Sequence, residues 1–232
     1  MIELDMLRGL VVSVQADSDS PLASTEMITA LALAAQAGGA VGVRIESAKN
    51  VRAVKAALSV PVIGLIKRSY AGFEPYITPT LGEVEELLDA GADVIAFDAT
   101  LRARPQGATT KQLVGRIASG GAIAMADCAT REDALAAHAL DIPLLATTLC
   151  GYTKETSGAS LPAIDLVRAL DKFGGFVICE GGVRSPADVA AARDAGADAI
   201  VVGTAITNIA WVTAQLAAPL HACARTDATA VK

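Results

Sequence analysis

Two charged side chains end apolar runs of the sequence, and their types are those of acid–base chemistry. Lys67 closes "SVPVIGLIK" (59–67), and Glu180 closes "GGFVICE" (174–180). A charge next to buried apolar residues is costly, so its presence there indicates a function. A desolvated lysine has a lowered pKa and can remove a proton from a carbon next to a carbonyl. The same amine can instead attack a carbonyl as a Schiff-base nucleophile, so both reactions stay open.

Glycines follow two of the apolar runs and predict a site for an anion. Gly181 and Gly182 come directly after Glu180, and Gly203 with Thr204 follows the run that ends in "VVGTAI" (201–206). Glycine allows a ligand close to the backbone and leaves the N–H groups accessible. After the first pair, Ser185 and Pro186 have the types of a helix N-cap and a first helical residue. We therefore expect a phosphate site built from these two loops.

The elements that position these residues repeat along the chain. Four stretches consist of a helix end, a break and an apolar run, at 35–46, 88–99, 138–148 and 193–204. A second series of apolar runs alternates with them, at 8–15, 59–67, 120–127 and 174–180. Runs that are apolar on both faces and alternate with helices are typical of parallel strands. Eight such units predict a (β/α)8 TIM barrel, with a doubly wound open sheet as the alternative.

The same repeat sets the domain limits. All 232 residues form one barrel domain in this interpretation. A short N-terminal segment, about residues 1–8, is predicted to close the barrel floor. The polar and small residues after about 224 are expected to fray.

Polar residues stand at nearly every predicted strand end, where TIM barrels carry their chemistry. Asp98 and Asp127 can alternatively cap loops there without a catalytic role. The strand-end residues are Gln15, Arg44, Glu46, Lys67, Asp98, Asp127, Thr147, Thr148, Glu180, Gly203 and Thr204.

Composition argues against several other classes of protein. A net charge of −6 without a basic patch disfavours nucleic acid as a partner. The longest apolar stretch (30–43) contains Gln36 and is shorter than the roughly 18–20 residues of a membrane span. The first ten residues have no basic region of a signal peptide, and the four separate cysteines predict free thiols in a reducing cytoplasm. His138 and His221 lie in helical segments, so we predict no metal and no cofactor.

Several motifs carry a resemblance that covers almost the whole chain. They are "VSVQ" (12–15), "GVRIE" (42–46), "VPVIGLIKR" (60–68), "YITPTLGEVEEL" (76–87), "VIAFDAT" (94–100), "ADC" (126–128), "TTLCGYT" (147–153), "EGGVRSP" (180–186) and "VVGTAIT" (201–207). In these motifs the chain resembles the N-acetylmannosamine-6-phosphate 2-epimerases of bacterial sialic acid catabolism.

The resemblance implies an isomerase that inverts C2 between N-acetylmannosamine 6-phosphate and N-acetylglucosamine 6-phosphate. Lys67 matches the family's acid/base at C2, and Glu180 matches the glutamate that opens and orients the sugar. Substrate binding is assigned to Gln15, Arg44, Asp127, Thr148, Tyr152, Gly181, Gly182, Gly203 and Thr204. The family also implies a metal-free TIM barrel that forms a homodimer.

One position departs from the family pattern. The family usually follows "AIT" with Arg-Pro, and that arginine reaches the phosphate, whereas this chain has Asn208. An asparagine lacks the charge and the bidentate geometry of a guanidinium. Two consequences stay open: the phosphate is held more weakly, or Arg184 or another cation takes the place of the missing arginine.

Two other functions remain as alternatives. One is a Schiff-base aldolase or lyase that uses Lys67. The other is a non-catalytic barrel that binds a sugar phosphate, for which Asn208 is the supporting feature.

Overall fold

Eight parallel strands form a closed barrel in the computed structural model, which describes residues 2–222. Each strand pairs with the next, and β1 pairs with β8 to close the ring. This closure confirms the predicted (β/α)8 TIM barrel and discards the open sheet. The strands are β1 (Gly9–Val14), β2 (Gly42–Glu46), β3 (Val62–Leu65), β4 (Val94–Asp98), β5 (Ile123–Asp127), β6 (Leu144–Ala146), β7 (Phe176–Glu180) and β8 (Ala199–Val202).

Helices cover the outside of the barrel, and most begin at a side-chain cap that the sequence supplies. At the start of the helix after β7, Ser185 accepts a hydrogen bond from Asp188, and Pro186 is the first helical residue, as predicted. The helices are α1 (Thr25–Ala37), α2 (Ala48–Ala57), α3 (Leu81–Asp89), α4 (Thr110–Ser119), α5 (Arg131–His138), α6 (Ile164–Asp171), α7 (Pro186–Asp194), α8 (Thr204–Thr207) and α9 (Ile209–Ala222), with short 3₁₀ helices at Leu4–Leu7 and Pro105–Gly107.

Two apolar layers hold the fold together. One layer lies between the strands and the helices, and it includes Ile45, Phe97 and Leu113. The other fills the barrel interior, where Leu65 and Met125 are fully buried. Burial of apolar surface in both layers is the main favourable contribution to folding.

The N-terminal segment closes the floor of the barrel, as the sequence predicted. Its 3₁₀ helix inserts Leu7 into the interior layer, where the side chain is fully buried. Gly42 makes room for it, because a Cβ at that position would lie 3.1 Å from the Leu7 side chain. The predicted fraying after about residue 224 concerns residues outside the described part of the chain.

Helix α9 leaves apolar side chains in contact with solvent. Ile209, Leu216 and Leu220 are 56%, 73% and 75% exposed. The barrel therefore does not cover this face of the helix. No helix among residues 2–222 has both the length and the apolar character that crossing a bilayer requires.

Candidate active site

Side chains along each strand alternate between the interior and the helix layer, and this alternation selects the residues at the mouth of the barrel. On β5, Ile123 and Met125 belong to the interior layer, so Asp127 is the next inward position. On β7, Phe176 and Ile178 lead in the same way to Glu180. On other strands, the next inward-facing positions after the residues of the interior layer are Ser13, Lys67, Asp98, Thr148 and Gly203.

Arg44, Asp127, Thr148 and Glu180 form one hydrogen-bonded group, which we name the mouth cluster. The guanidinium of Arg44 donates from Nη2 to Asp127 Oδ2 at 2.5 Å and from Nη1 to Glu180 Oε1. Arg44 is 3% exposed, Asp127 is fully buried and Glu180 is 8% exposed. Two carboxylates therefore share a single buried guanidinium.

Thr148 links the two carboxylates from the other side. Its hydroxyl oxygen lies 2.7 Å from Asp127 Oδ1 and 3.2 Å from Glu180 Oε2. Both oxygens of Asp127 are thus engaged within the protein. The neighbouring Thr147 has a different task, because its hydroxyl donates to the Glu180 carbonyl and accepts from the Glu180 N–H.

Burial changes the acidity of the mouth cluster. The pKa of Asp127 is raised from 3.8 to about 7, chiefly because the carboxyl group is buried, and the charge of Glu180 raises it further. Arg44 and the hydrogen bond from Thr148 oppose this change in pKa. Asp127 therefore titrates close to neutral pH.

Lys67 lies beyond the end of β3, in residues 66–78, which we name the lysine hairpin. Lys67 pairs with Ile77 in an antiparallel bridge, and the Arg68 N–H donates to the Tyr76 carbonyl. The fully buried Thr78 receives the Ile66 N–H on its hydroxyl oxygen, and this hydroxyl donates to the Ala96 carbonyl on β4. The lysine backbone is thereby held against the neighbouring strand.

The mouth cluster affects the pKa of the Lys67 amine, although Lys67 as a whole is exposed. Its pKa is lowered, first by partial desolvation and next by the positive charge of Arg44. The acidic groups Glu46, Asp17 and Glu180 oppose this lowering of the pKa. A larger share of Lys67 is therefore neutral than for an ordinary surface lysine.

Gly181 and Gly182 follow Glu180 with left-handed backbone angles, φ +104° and +72°. A Cβ on Gly182 would lie 2.4 Å from the Cβ of Leu161, so this position has no room for a side chain. A Cβ on Gly181 would come within 3.5 Å of the Tyr152 ring, which is 56% exposed above it. The glycine pair thus brings the loop after β7 close to the loop after β6.

In the loop after β8, Gly203 packs against β1. A Cβ on Gly203 would lie 3.3 Å from the Cβ of Ser13, whose hydroxyl accepts a hydrogen bond from Gln15 Nε2 at 2.9 Å. The Gln15 Oε1 atom is buried and has no hydrogen-bond partner among the described residues. A cavity of about 280 Å³, lined in part by Gln15, Glu46 and Asn50, opens beside it.

Asn208 immediately precedes α9, and Arg184, in the loop after β7, places its guanidinium against the first turn of that helix. The Asn208 side-chain oxygen accepts the Trp211 N–H at 2.9 Å and so caps the helix. The Arg184 guanidinium lies 5.4 Å from the centre of the Trp211 ring. This contact holds an exposed arginine between the loop after β7 and α9.

The structure adds two residues that the sequence interpretation missed. Tyr76, on the lysine hairpin, is close enough to Asp127 and Arg44 for their charges to affect its pKa, which is raised chiefly by burial. Arg102 pairs with Asp98 at 2.8 Å and so neutralises that buried carboxylate. A signal for Tyr76 was present in the β-type run "YIT" (76–78), which returns along the lysine strand.

His138 and the three cysteines of the described region are not members of the mouth cluster. The His138 ring packs on Phe173. Cys128, Cys150 and Cys179 are free thiols, and burial raises the pKa of each. Residues 2–222 contain no group of three or more His, Cys, Asp and Glu side chains with the arrangement of metal ligands.

Comparison with known proteins agrees with the motifs. The family model described as "Putative N-acetylmannosamine-6-phosphate epimerase" matches residues 28–221. A relative from Synechococcus elongatus, named "Putative N-acetylmannosamine-6-phosphate 2-epimerase", is 46% identical over 220 residues, with 91% of this chain and 95% of the relative covered. A relative of the same name from Yersinia pseudotuberculosis is 46% identical over 201 residues, with 87% and 85% covered.

The chain belongs to the N-acetylmannosamine-6-phosphate epimerase family.

A solved structure supports this membership. The N-acetylmannosamine-6-phosphate 2-epimerase from Clostridium perfringens superimposes with a TM-score of 0.90 at 39% identity, over 93% of this chain and 95% of that one. The thiamine phosphate pyrophosphorylase from Pyrococcus furiosus, at 13% identity and a TM-score of 0.59, shares the fold alone. The resemblance found in the sequence is thereby confirmed.

Proposed function

We propose that the protein is an isomerase that interconverts N-acetylmannosamine 6-phosphate and N-acetylglucosamine 6-phosphate by inverting C2. The observation that carries this proposal is the mouth cluster beside Lys67, in a chain of the N-acetylmannosamine-6-phosphate epimerase family. The reaction needs a base that can remove the C2 proton of the open-chain sugar and a group that can protonate or polarise O1. A lysine and a carboxylic acid meet these two needs without a cofactor.

Lys67 is the base in this proposal. Partial desolvation and the charge of Arg44 lower its pKa, so the neutral amine forms more readily than in an ordinary surface lysine. After Lys67 takes the C2 proton, an enediol-like intermediate forms, and a proton returned to the other face inverts the centre. Glu180 opens the ring and orients the sugar, and Arg44 holds its carboxylate in place.

The sugar contacts the polar groups around the mouth. Gln15 offers a buried side-chain oxygen that has no partner in the described region, which suits the N–H of an acetamido group. Tyr152 presents an exposed ring above Gly181 and can cover the sugar. Arg44, Asp127 and Thr148 form the polar base of the sugar site.

The 6-phosphate binds at the loops after β7 and β8. Within residues 2–222, the N–H groups of Gly181, Gly182 and Gly203 have no backbone or side-chain acceptor, so they can donate to phosphate oxygens. Thr204 adds a hydroxyl beside them. Because Asn208 caps α9, we assign the missing positive charge to Arg184, whose guanidinium the Trp211 ring holds at the same edge.

We also propose a setting and an assembly for the enzyme. The reaction belongs to sialic acid breakdown in the cytoplasm, and the protein acts as a homodimer with no nucleic acid or membrane as partner. The exposed Leu216 and Leu220 of α9 are the apolar surface that a second copy would cover. Leu216→Asp should lower the mass measured by light scattering from dimer to monomer, whereas an unchanged mass would exclude α9 as the interface.

Proton NMR of the protein with N-acetylmannosamine 6-phosphate in D2O tests the reaction. Formation of N-acetylglucosamine 6-phosphate with deuterium at C2 would establish epimerisation by proton transfer. A covalent adduct trapped by borohydride on Lys67 would instead favour the Schiff-base aldolase. Binding of the sugar phosphate without turnover would favour the non-catalytic barrel.

A further inference from the structure

The mouth cluster contains fewer protons than its hydrogen-bond geometry requires if both carboxylates are ionised. The single hydroxyl proton of Thr148 faces Asp127 Oδ1 at 2.7 Å and Glu180 Oε2 at 3.2 Å. It can be donated to only one of these oxygens at a time. The other contact is a hydrogen bond only if one carboxyl group carries a proton of its own.

Charge leads to the same requirement. Arg44 supplies one positive charge for the two buried carboxylates, so the ionised group would hold a net charge of −1 away from water. Burying an unpaired charge is costly, and a carboxyl group in that position takes up a proton instead. The cluster is neutral when Asp127 and Glu180 together hold one proton.

We infer that Asp127 stores a proton and passes it through the Thr148 hydroxyl to Glu180, which donates it to the substrate during catalysis. This role rests on the proposed function and is additional to the place of Asp127 in the polar base of the sugar site. Asp127 is fully buried with both oxygens engaged, so it acts through Thr148 and Glu180 as a positioning residue.

The proton transfers balance without an external reagent. Neutral Lys67 takes the C2 proton, a C1–C2 double bond forms, and the electron pair of the C1 carbonyl moves to O1. The proton of Asp127 moves to the Thr148 oxygen as the Thr148 hydroxyl proton moves to the ionised Glu180, and Glu180 passes that proton on to O1, so that Asp127 and Glu180 are both ionised afterwards. The reverse transfers restore the starting state when Lys67 or its counterpart returns a proton to C2.

The charges before and after the proton transfers explain how the site stabilises the intermediate. At the start, Lys67 is neutral and the mouth cluster holds one proton. At the intermediate, protonated Lys67 and Arg44 face ionised Asp127 and Glu180, so every charge has an opposite partner nearby. A site that pairs its charges in the intermediate stabilises the intermediate relative to the ground state.

The surroundings of Asp127 agree with proton storage near neutral pH. The charged or titratable groups around it come from β2, β4, β7, the lysine hairpin and the residue after β5. Burial, and to a smaller extent Glu180 and Asp98, raise its pKa to about 7, and Arg44 opposes them. On the remaining sides, Tyr76 and Cys128 have raised pKa values and are neutral at this pH. The proton is therefore present below about pH 7 and is lost above it.

Infrared spectroscopy of the substrate-free protein tests the stored proton directly. At about pH 6, below the pKa of about 7, we expect a carbonyl band of a neutral carboxylic acid that shifts in D2O. Asp127→Asn should remove the band, and Asp98→Asn should keep it because Asp98 is paired with Arg102. Absence of the band in the wild type, or its persistence in Asp127→Asn, would overturn the inference.

Kinetics test the transfer through Thr148. Thr148→Val should lower kcat roughly 100-fold with little change in KM, and Thr148→Ser should recover most of the loss because it restores the hydroxyl. The wild-type rate should decline above about pH 7, where Asp127 loses its proton, and Asp127→Asn should not show this decline. An equal loss in both Thr148 variants, or an unchanged pH profile in Asp127→Asn, would indicate a structural role only.

The two experiments separate this inference from the proposed function. The infrared band does not depend on turnover. If the wild type has the band but does not convert the sugar phosphate, the proposed function fails and the stored proton stands. If the wild type converts the substrate without the band, the stored proton fails and the epimerase stands.

Discussion

The mouth cluster and the lysine hairpin lie at the same end of the barrel but are built differently. Arg44, Asp127 and Glu180 are strand residues, they are nearly inaccessible to solvent, and each is paired within the cluster. Lys67 lies beyond its strand and is exposed, and only its backbone is hydrogen-bonded to the hairpin. The groups that must keep their charge balance are hydrogen-bonded to one another, whereas the amine that must reach the substrate has no hydrogen-bond partner among the described residues.

This difference teaches how the barrel separates two tasks. Buried charges need fixed partners, because a lost partner leaves an uncompensated charge away from water. A base needs a neutral amine that can approach carbon, so it benefits from partial desolvation without a carboxylate clamped to it. Lys67 has Glu46, Asp17 and Glu180 within electrostatic reach, but none of them forms a salt bridge with it within the described chain.

Removing the Lys67 amine tests the role of the lysine hairpin and should have the largest effect on the protein. Lys67→Ala should lower kcat by roughly 1,000-fold, because general acid–base groups typically contribute 100- to 10,000-fold. The Kd for the sugar phosphate, measured by calorimetry, should change only a few-fold. Lys172→Ala, an exposed lysine at the end of α6, is the matched control and should keep the wild-type rate. Retained turnover in Lys67→Ala would refute its role as the base.

Removing the shared cation tests the mouth cluster. Arg44→Met leaves two buried carboxylates without their partner and should cost about 3–5 kcal/mol of the free energy of unfolding, measured with urea. The loss should be smaller at low pH, where the carboxylates are protonated, and should grow as pH rises.

The control for this change is an exposed ion pair of the same type. Arg116 donates to Glu85 Oε2 at 2.6 Å, and the two side chains are 35% and 47% exposed. Arg116→Met should change stability little, because water replaces the lost partner. Equal losses in the two variants would show that burial does not determine how much the Arg44 ion pairs contribute to the free energy of unfolding.

The strands and several residues of the mouth could be predicted from the sequence. The repeat of apolar runs predicted eight strands, and Lys67 and Glu180 were found because charges end those runs. Period-two counting separates Thr148, which faces the mouth, from Thr147, which holds the β7 backbone. That count needs the strand register, which the closed barrel supplies.

The other features depend on contacts between distant residues. The antiparallel return that brings Tyr76 to the mouth is a tertiary contact with no local signal beyond a β-type run. The cap formed by Asn208 and the stacking of Arg184 on Trp211 involve side-chain geometry that spacing does not encode. The strand ends were therefore predictable, and the loop contacts were not.

Replacing a glycine tests the packing between the loops after β6 and β7 and should have an intermediate effect on stability. Gly182→Ala forces a Cβ against Leu161 at a positive φ and should cost about 2–4 kcal/mol of the free energy of unfolding. Gly158→Ala has a similar φ of +82° with open space around the Cβ, so it should cost only about 1 kcal/mol. Chemical denaturation of both variants measures the difference. Equal losses would mean that Leu161 moves aside and that backbone strain alone matters.

The smallest expected effect concerns the support of the lysine hairpin. Fully buried Glu83 on α3 accepts hydrogen bonds from Arg68 at 2.7 Å and from the Tyr70 hydroxyl at 2.6 Å, so it anchors the hairpin just after Lys67. Glu83→Gln keeps the size of the side chain but loses the charge that holds Arg68. We expect kcat to fall roughly fivefold, well short of the ~100-fold that a misplacement of about 1 Å can cost.

The pH profile distinguishes this positioning effect from a general loss of stability. A looser hairpin exposes the amine, so the pKa of Lys67, which partial desolvation lowers, should rise towards its ordinary value. The acidic limb of kcat/KM should therefore move to higher pH in Glu83→Gln. Glu86→Gln removes the other, exposed partner of Arg68 and should leave both rate and profile as in the wild type. A uniform loss of rate without a shifted limb would mean that Glu83 stabilises the fold but does not position the base.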